Sequence, residues 1–344
     1  MKILGIETSC DETAAAVVED GRRILSNVVN SQIDIHREYG GVVPEVAARS
    51  HLEVINPVIN MALEKAEIGW KDIDAIAVTY APGLVGSLLV GTLAARMLAI
   101  LKNKPLYPVH HIESHIYANF LGLEDEPEFP ILALVVSGGH TQLILLKNHG
   151  DFEIIGSTRD DAVGEVFDKV AKMLGLPYPG GPSISEAALR GDREKYQLPK
   201  ARLDSPYDFS FSGLKTAVLR AIQKEVEVDI NFSSTGLPGL LSASQRDDFA
   251  ASFEKTAVET LVDKLLKAYE FYTPRTVVIA GGVSANRYLR EELLRRMSVE
   301  VKFAPIELCT DNAAMVASAG YYHVLREAPT DPYEIEVIPA VRLG

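Results

Sequence analysis

Residues 2–19, KILGIETSCDETAAAVVE, read as a β-hairpin. Residues 2–8 form an apolar strand and residues 14–19 its returning partner. The tip between them, Ser9-Cys10-Asp11-Glu12-Thr13, is polar throughout. The same sentence of sequence is written again at 131–147: ILALVV, then the tip Ser137-Gly138-Gly139-His140-Thr141, then QLILLK. Thr13 and Thr141 occupy equivalent places. Short β-branched runs around polar reversals are hairpin signals, and their recurrence about 130 residues apart marks either a duplicated domain or two unrelated hairpins.

Outward from the first hairpin, strand and helix patterns alternate, as in an α/β protein. Residues 22–32 make a third strand, 45–66 a helix, 74–80 a strand, 83–101 a helix with small residues at Gly86, Ser87, Gly91 and Ala94, and 105–110 a short strand followed by a helix through Leu121. The acidic stretch 124–130, EDEPEFP, carries two prolines and is the best linker. After the second hairpin come helical patterns at 162–174, 183–190, 212–223 and 244–271. A strand at 276–280 runs into Gly281-Gly282, followed by a helix at 284–296, a strand at 300–304 and a helix at 312–325.

The chain has 344 residues, 47% hydrophobic and 24% charged, which excludes a disordered chain, a collagen and a coiled coil. That length suits two domains, with a core large enough to need no crosslinks. The net charge of −13 excludes a global basic footprint for nucleic acid. Contact with RNA would need a local patch or a partner. Two cysteines, Cys10 and Cys309, make no disulfide framework and fit a reducing compartment. Glu7 interrupts the apolar start, so no secretory signal is expected, and the apolar stretch 83–95 ends at Arg96, too short to span a bilayer. A cytoplasmic protein with no membrane partner is expected.

Three histidines fall in HHIESH, residues 110–115. His111 and His115 are four apart, so on a helix their imidazoles share a face and a metal ion. The alternative is a helix N-terminus with solvated histidines. Glu113 lies about 200° round the helix from His111, the wrong side for the base of a zinc protease. Asp311, before the last helix, is either a third ligand or that helix's N-cap. Two His and one Asp leave coordination positions open to a substrate, as in catalytic sites. Asp11 and Glu12 are adjacent acids in the first tip. Gly138 and Gly139 in the second leave backbone amides open to an anion, or make a simple turn. Gly180-Gly181-Pro182 and Gly281-Gly282-Val283-Ser284-Ala285-Asn286 are further anion-binding candidates before helices. Asp168 lies on the helix at 162–174 and reads equally as a surface acid. P-loop and α/β-hydrolase motifs are absent from the sequence.

Nine segments together resemble one family: GIETSCDET (5–13), GGVVPE (40–45), APGLVGSLLVG (81–91), HHIESH (110–115), VSGGHTQL (136–143), FDKVAKMLGLPYPGGP (167–182), DFSFSGLKT (208–216), AGGVSANR (280–287) and CTDNAAM (309–315). The chain resembles, over nearly its whole length, the tRNA N6-adenosine threonylcarbamoyltransferases, once classed as O-sialoglycoprotein endopeptidases. The resemblance implies a two-lobed actin-like ATPase fold, each lobe a mixed sheet flanked by helices, with nucleotide between them. It divides the chain into an N-terminal lobe, 1–126 with a returning helix at 312–344, and a C-terminal lobe, 127–311. It implies transfer of threonylcarbamoyl from threonylcarbamoyl-adenylate to N6 of adenosine 37 in tRNAs reading ANN codons, releasing AMP. His111, His115 and Asp311 match the family's metal ligands, for iron(II) or zinc. Val135, Val136, Ser137, Gly138, Gly139, Asp168, Gly181 and Asn286 match its substrate-binding positions, and Asp11 and Glu12 its first-hairpin acids, one of them expected to accept the N6 proton or orient the adenine. The fold also implies a place for ATP or ADP with Mg2+. The expected partners are a tRNA anticodon loop, whose unstacked bases are open to reading, a paralogous inactive actin-like subunit (TsaB-type) and a small ATPase (TsaE-type).

One position departs from the pattern. Some relatives carry an acid four residues after the second glycine of PGGP, where this chain has Ser185, with Glu186 beside it. The basic stretches Arg287, Arg290, Arg295, Arg296, Lys302 and Arg193, Lys195, Lys200, Arg202 read either as tRNA contacts or as solvated surface. Three other readings compete: an ATP-hydrolysing chaperone or kinase of the same fold, which would use magnesium on phosphates rather than paired histidines; a metalloprotease; and a non-catalytic scaffold, which the intact His111, His115, Asp311, Asp11 and Glu12 disfavour.

Overall fold

A computed structural model describes residues 1–343. The first half runs β1 (Lys2–Glu7), β2 (Glu12–Glu19), β3 (Arg23–Ser31), α1 (Ile33–Arg37), α2 (Pro44–Lys65), β4 (Ala75–Ala81), α3 (Val85–Lys102), β5 (Leu106–His110), α4 (His111–Tyr117), β6 (Ile131–Val136), β7 (Thr141–Asn148) and β8 (Asp151–Ser157). The second half runs α5 (Val163–Leu174), α6 (Gly180–Ala188), α7 (Ser212–Glu225), α8 (Ala243–Tyr272), β9 (Thr276–Ala280), α9 (Arg287–Arg296), β10 (Val301–Phe303) and α10 (Ala313–Arg326). Two elements were not expected from the sequence, the five-residue helix α1 and the strand β8. Internal contacts divide the chain into unit 1 (Met1–Glu128, Leu146–Glu153 and the segment from Phe303 onward) and unit 2 (Phe129–Leu145 and Ile154–Lys302).

Unit 1 is built on a five-stranded sheet ordered β3-β2-β1-β4-β5. The first hairpin supplies the antiparallel half, and β4 and β5 add parallel to β1. Alternation along β1 and β4 serves both faces. Leu4, Ile6, Ile76 and Val78 pack with α2 and α3 in one core. Gly5 and Ala77 face α10: a Cβ on Gly5 would stand 2.3 Å from the Ala313 carbonyl, and one on Gly320 would stand 2.4 Å from the Ala77 Cβ. These two glycines let α10 lie close on β1 and β4. The N-terminal end of α10, with Asp311 just before it, is thereby held close to the central strands.

Helix α3 runs past Arg96 to Lys102, so by length and composition it is apolar enough to cross a membrane, contrary to the expectation from the 83–95 stretch. It packs on α2 and β4 and buries Ser87, Leu88, Val90, Gly91, Thr92, Ala95 and Ala99.

Unit 2 repeats the plan, in the order β8-β7-β6-β9-β10. Strand β6 lies parallel to β9, in register from Ile131↔Thr276 to Val135↔Ala280. All six of its residues are buried, which is why it reads as an unbroken apolar run. The long helix α8 packs against α6, α9, α5 and α7. The loops of interest follow β6 and β9 and open α6.

Candidate metal centre and anion-binding loops

Strand β5 hands directly into α4, and the three histidines at that junction do different jobs. His110 is the N-cap of α4, its Nδ1 accepting from the Ile112 amide at 3.2 Å. Burial pushes its pKa down to about 4, which keeps the ring neutral and able to accept. His111 and His115 follow one turn apart on one face, 6% and 1% exposed. The solvated alternative is therefore overturned: the apolar burial of all seven residues of α4 carries both rings inside.

Asp311 completes a cluster. Its Oδ1 lies 3.2 Å from His115 Nε2 and 3.7 Å from His111 Nε2, and one ligand atom from each of the three falls within 4.8 Å of the others. Among the described residues, neither ring nitrogen of His115 finds a hydrogen-bond partner, although both are buried. Two imidazole nitrogens and a carboxylate oxygen brought this close, one atom from each side chain, suit a shared cation. Ligands at about 2.0–2.2 Å from a zinc-like ion stand roughly 3–3.5 Å apart; the His115–Asp311 spacing falls in that range and the His111–Asp311 spacing, 3.7 Å, just beyond it. The capping task expected of Asp311 belongs instead to Asn312, whose Oδ1 accepts from the Met315 amide at 3.1 Å.

Glu7, at the end of β1, joins the cluster although its own stretch of sequence gives no sign of it. It is fully buried. Its Oε1 accepts from the Ser9 amide and its Oε2 from Thr79 Oγ1, both at 2.6 Å, and Oε2 also lies 3.3 Å from His111 Nδ1. A carboxylate behind the Nδ1–H leaves Nε2 to face Asp311, the arrangement that fixes tautomer and ring orientation in metal-ligating histidines. Burial works against a charge on His111, but Asp311 and then Glu7 outweigh it and lift its pKa to about 9.

The first tip is tied down around this centre. Leu84 N donates to Ser9 O, and Ser87 Oγ and His51 Nε2 both donate to Cys10 O at 3.0 Å. Gly83 and Gly91 make the approach of α3 feasible: a Cβ on either would fall 2.5 Å from Ser9 O or 2.3 Å from Thr8 Oγ1. Asp11 is buried and Glu12 half-buried. Glu12 is held well above the usual carboxylate range by burial, then by Asp311 and Asp11. The adjacent acids of the sequence thus crowd each other's charge beside Asp311.

In unit 2 the expected substrate positions form a ring of contacts. A Cβ on Gly281 would meet Val136 O at 2.4 Å and Ser137 Cβ at 3.3 Å, so the turn leading to Asn286 lies on the second tip. Asn286 Nδ2 donates to Ser185 Oγ at 2.8 Å, joining that turn to α6. At the start of α6, Gly180 N donates to Asp168 Oδ1 at 2.6 Å. Asp168 lies on α5, whose Gly164 N donates back to Ser137 O at 3.3 Å. Gly138, Gly139 and Gly181 face open space where a Cβ would be, leaving room for a ligand against the backbone. Val135 and Val136 bury their side chains in the strand, so only backbone atoms are offered there.

Glu113 points away from the cluster and pairs with His323 Nε2 on α10 at 3.0 Å, its side chain 4% exposed. It clasps two helices and cannot activate a water beside His111, which removes the protease geometry. The basic stretches are largely neutralised: Arg287 by Glu291, Arg295 by Glu292, Arg296 by Asp263, Arg193 by Glu254, and Lys200 by Glu259 and Asp263.

Residues 23–318 match the family model TsaD, tRNA N6-adenosine threonylcarbamoyltransferase. The proteins of that name from Symbiobacterium thermophilum and Thermomicrobium roseum are 52% and 50% identical to this chain. The first alignment spans 99% of this chain and 97% of the relative, the second 96% and 94%. Among solved structures, HypF from T. kodakarensis has a TM-score of 0.62 at 14% identity, over 94% of this chain and 48% of that one. The activator of 2-hydroxyisocaproyl-CoA dehydratase from Clostridium difficile has a TM-score of 0.51 at 14% identity, over 99% and 100%. At such identities these two speak for the fold alone, and the fold is that of the actin-like ATPases. With the family model spanning most of the chain and relatives near half identical from end to end, the chain belongs to the tRNA N6-adenosine threonylcarbamoyltransferases, a family of tRNA-modifying transferases.

Proposed function

We propose that this chain transfers threonylcarbamoyl from threonylcarbamoyl-adenylate to N6 of adenosine 37 in tRNAs reading ANN codons. The observation that carries the reading is the convergence of His111, His115 and Asp311, with Asp311 Oδ1 3.2 Å from His115 Nε2 and 3.7 Å from His111 Nε2, backed by Glu7. His111 Nε2, His115 Nε2 and an Asp311 oxygen would hold one divalent ion, iron(II) or zinc. Bound there, the ion supplies Lewis acidity toward the carbamoyl carbonyl.

The chain's own residues do the rest. The exposed amides of Gly138 and Gly139, in the tip opened by Ser137, hold the phosphate or the threonyl end. Asp168, Gly181 and Asn286 surround the adenylate, and Val135 and Val136 contribute backbone groups. N6 of the tRNA adenine attacks the carbamoyl carbon, the bond from that carbon to the phosphate oxygen breaks, and AMP leaves. The proton lost by N6 passes to an acid of the first tip. Glu12 suits this task better than a solvated carboxylate, because its raised pKa brings it closer to the working pH.

The neutralised basic stretches and the net charge of −13 argue that tRNA is held with help. A paralogous actin-like subunit and a small ATPase are the partners proposed, ATP or ADP with Mg2+ belongs to that assembly, and the cytoplasm is its place. The test incubates the protein, with and without such partners, with threonylcarbamoyl-adenylate and unmodified tRNA. Digested tRNA is then analysed by mass for threonylcarbamoyladenosine. Product from the wild type and none from His111→Ala is expected; no product under any combination of partners sinks the reading.

A further inference from the structure

Helix α4 carries two candidate metal ligands on one side and a buried carboxylate on the other. His111 and His115 share a face, and Glu113, between them in sequence, stands about 200° round the helix from His111. Helix α10 meets both sides. Asp311, just before its first turn, faces the two histidines. His323, in its last turn, meets Glu113 Oε2 at 3.0 Å. Asp311 and His323 are twelve residues apart, about 18 Å along a helix axis. The long helix therefore grips the short one at two points, on opposite faces.

Helix α4 cannot orient itself. It has seven residues, fewer than a helix needs to hold its own shape in water, so its roll about its axis is set by what packs against it. Apolar contacts give that roll little direction. The Glu113–His323 pair gives it one, at a cost. Glu113 is buried, and among the described residues its Oε1 finds no hydrogen-bond partner. The second nitrogen of His323 meets Glu327 Oε2 at 3.1 Å, so both ring nitrogens serve as donors. A buried charge pair is often no more stabilising than apolar residues of the same volume; what this one adds is a fixed angle. A side-chain tip lies about 5–6 Å from a helix axis, so a roll of about 20° moves it by about 2 Å, the length of a metal–ligand bond. His111, Glu113 and His115 turn on one backbone, and a roll that opened the pair would carry both histidines past Asp311.

We propose that Glu113 and His323 are positioning residues that set the roll of α4, and with it the reach of His111 and His115 to Asp311. This rests on the reading that those three side chains hold one ion. The ligands stand on one face of the helix, and their alignment is fixed from the other.

The test is competition for zinc between the metal-free protein and a chelating dye, on the wild type, His323→Leu and His323→Gln. Leu fills much of the ring's space without a donor, whereas Gln restores an N–H for Glu113. Coupling of the size usual between linked sites predicts that His323→Leu binds zinc about 5–150-fold more weakly, and that His323→Gln recovers most of the loss. A role confined to stability would lower the denaturant midpoint of His323→Leu and leave the zinc affinity of the folded protein unchanged. Linkage is reciprocal, so the wild type decides the matter alone if His323→Leu does not fold: zinc should slow amide hydrogen exchange in the last turn of α10, far from Asp311. Wild-type zinc affinity in folded His323→Leu, a loss that Gln does not recover, or exchange around His323 that ignores zinc overturns the proposal and leaves the metal reading standing. Failure of the wild type to bind zinc overturns both.

Discussion

Replacing Glu7 by Gln should weaken metal binding without touching a ligand. The carboxylate accepts from Ser9 N, from Thr79 Oγ1 and from the His111 ring. An amide of the same shape has one oxygen to offer and an NH2 group that must face something. The oxygen is best used on the Ser9 amide, a fixed backbone donor at 2.6 Å, since the Thr79 hydroxyl can turn to accept instead. The NH2 then faces Thr79 and His111 Nδ1. Donation to Nδ1 moves the ring proton to Nε2, the nitrogen 3.7 Å from Asp311, and removes the lone pair a metal needs. Loss of such an outer partner costs about 10–100-fold in affinity, or roughly 1.4–2.7 kcal/mol. The assay is competition for zinc between the metal-free protein and a chelating dye. Asp160→Asn, which loosens the cap on α7 in unit 2, serves as the control and should leave zinc affinity unchanged. Glu7→Gln with wild-type zinc affinity and a wild-type fold would refute the reasoning about His111.

Further outcomes follow from the packing and the buried charges. Gly91→Ala places a methyl 2.3 Å from Thr8 Oγ1, displacing the bond from Thr8 to Ser87 O; a loss of about 1–3 kcal/mol is expected in denaturant melts, and an unchanged midpoint contradicts it. His323→Ala strips the partner from the buried Glu113 and should cost about 3–5 kcal/mol, read by the same melts; a change within error would mean the clasp of α4 to α10 is not formed. His51 donates through Nε2 to Cys10 O and accepts at Nδ1 from Thr13, and burial holds its pKa below 6.5. The folded state thus binds fewer protons than the unfolded one, so this contribution is flat above about pH 6.5 and stability falls as pH drops below it. Urea midpoints from pH 8 to pH 5 should show that fall, reduced in His51→Gln; equal slopes in the two proteins would remove His51 from the account.

The hairpins were legible because short apolar runs on either side of a polar tip are local signals, and the two sheets share one strand order around them. Strand β8 escaped because it sits at a sheet edge with a half-exposed pattern and only Phe152, Ile154 and Ile155 as large apolar residues. Helix α6 starts three residues earlier than expected, since two glycines and a proline argue against a helix until Asp168 accepts from Gly180 N. The His-x-x-x-His spacing was readable, but the choice between Asp311 and Asn312 as cap turns on one residue of backbone phase, set where Asn312 turns extended. Glu7 could not be assigned from its own neighbourhood, because its partners Thr79 and His111 are 72 and 104 residues away. The ion pairs of the basic stretches were not legible for the same reason: the acids that pair with Arg193, Lys200 and Arg296 lie on α8, far away in sequence.

The central claim is that the His111–His115–Asp311 cluster holds the ion on which transfer depends. The most direct measurement strips the protein with a chelator, confirms the loss by elemental analysis, and follows threonylcarbamoyladenosine formation, with any partner subunits the transfer requires, before and after stoichiometric iron(II) or zinc is returned. No product is expected from the stripped protein, with recovery on one equivalent of metal and no recovery in His115→Ala. Full product formation by the stripped protein, or recovery in His115→Ala, would contradict it.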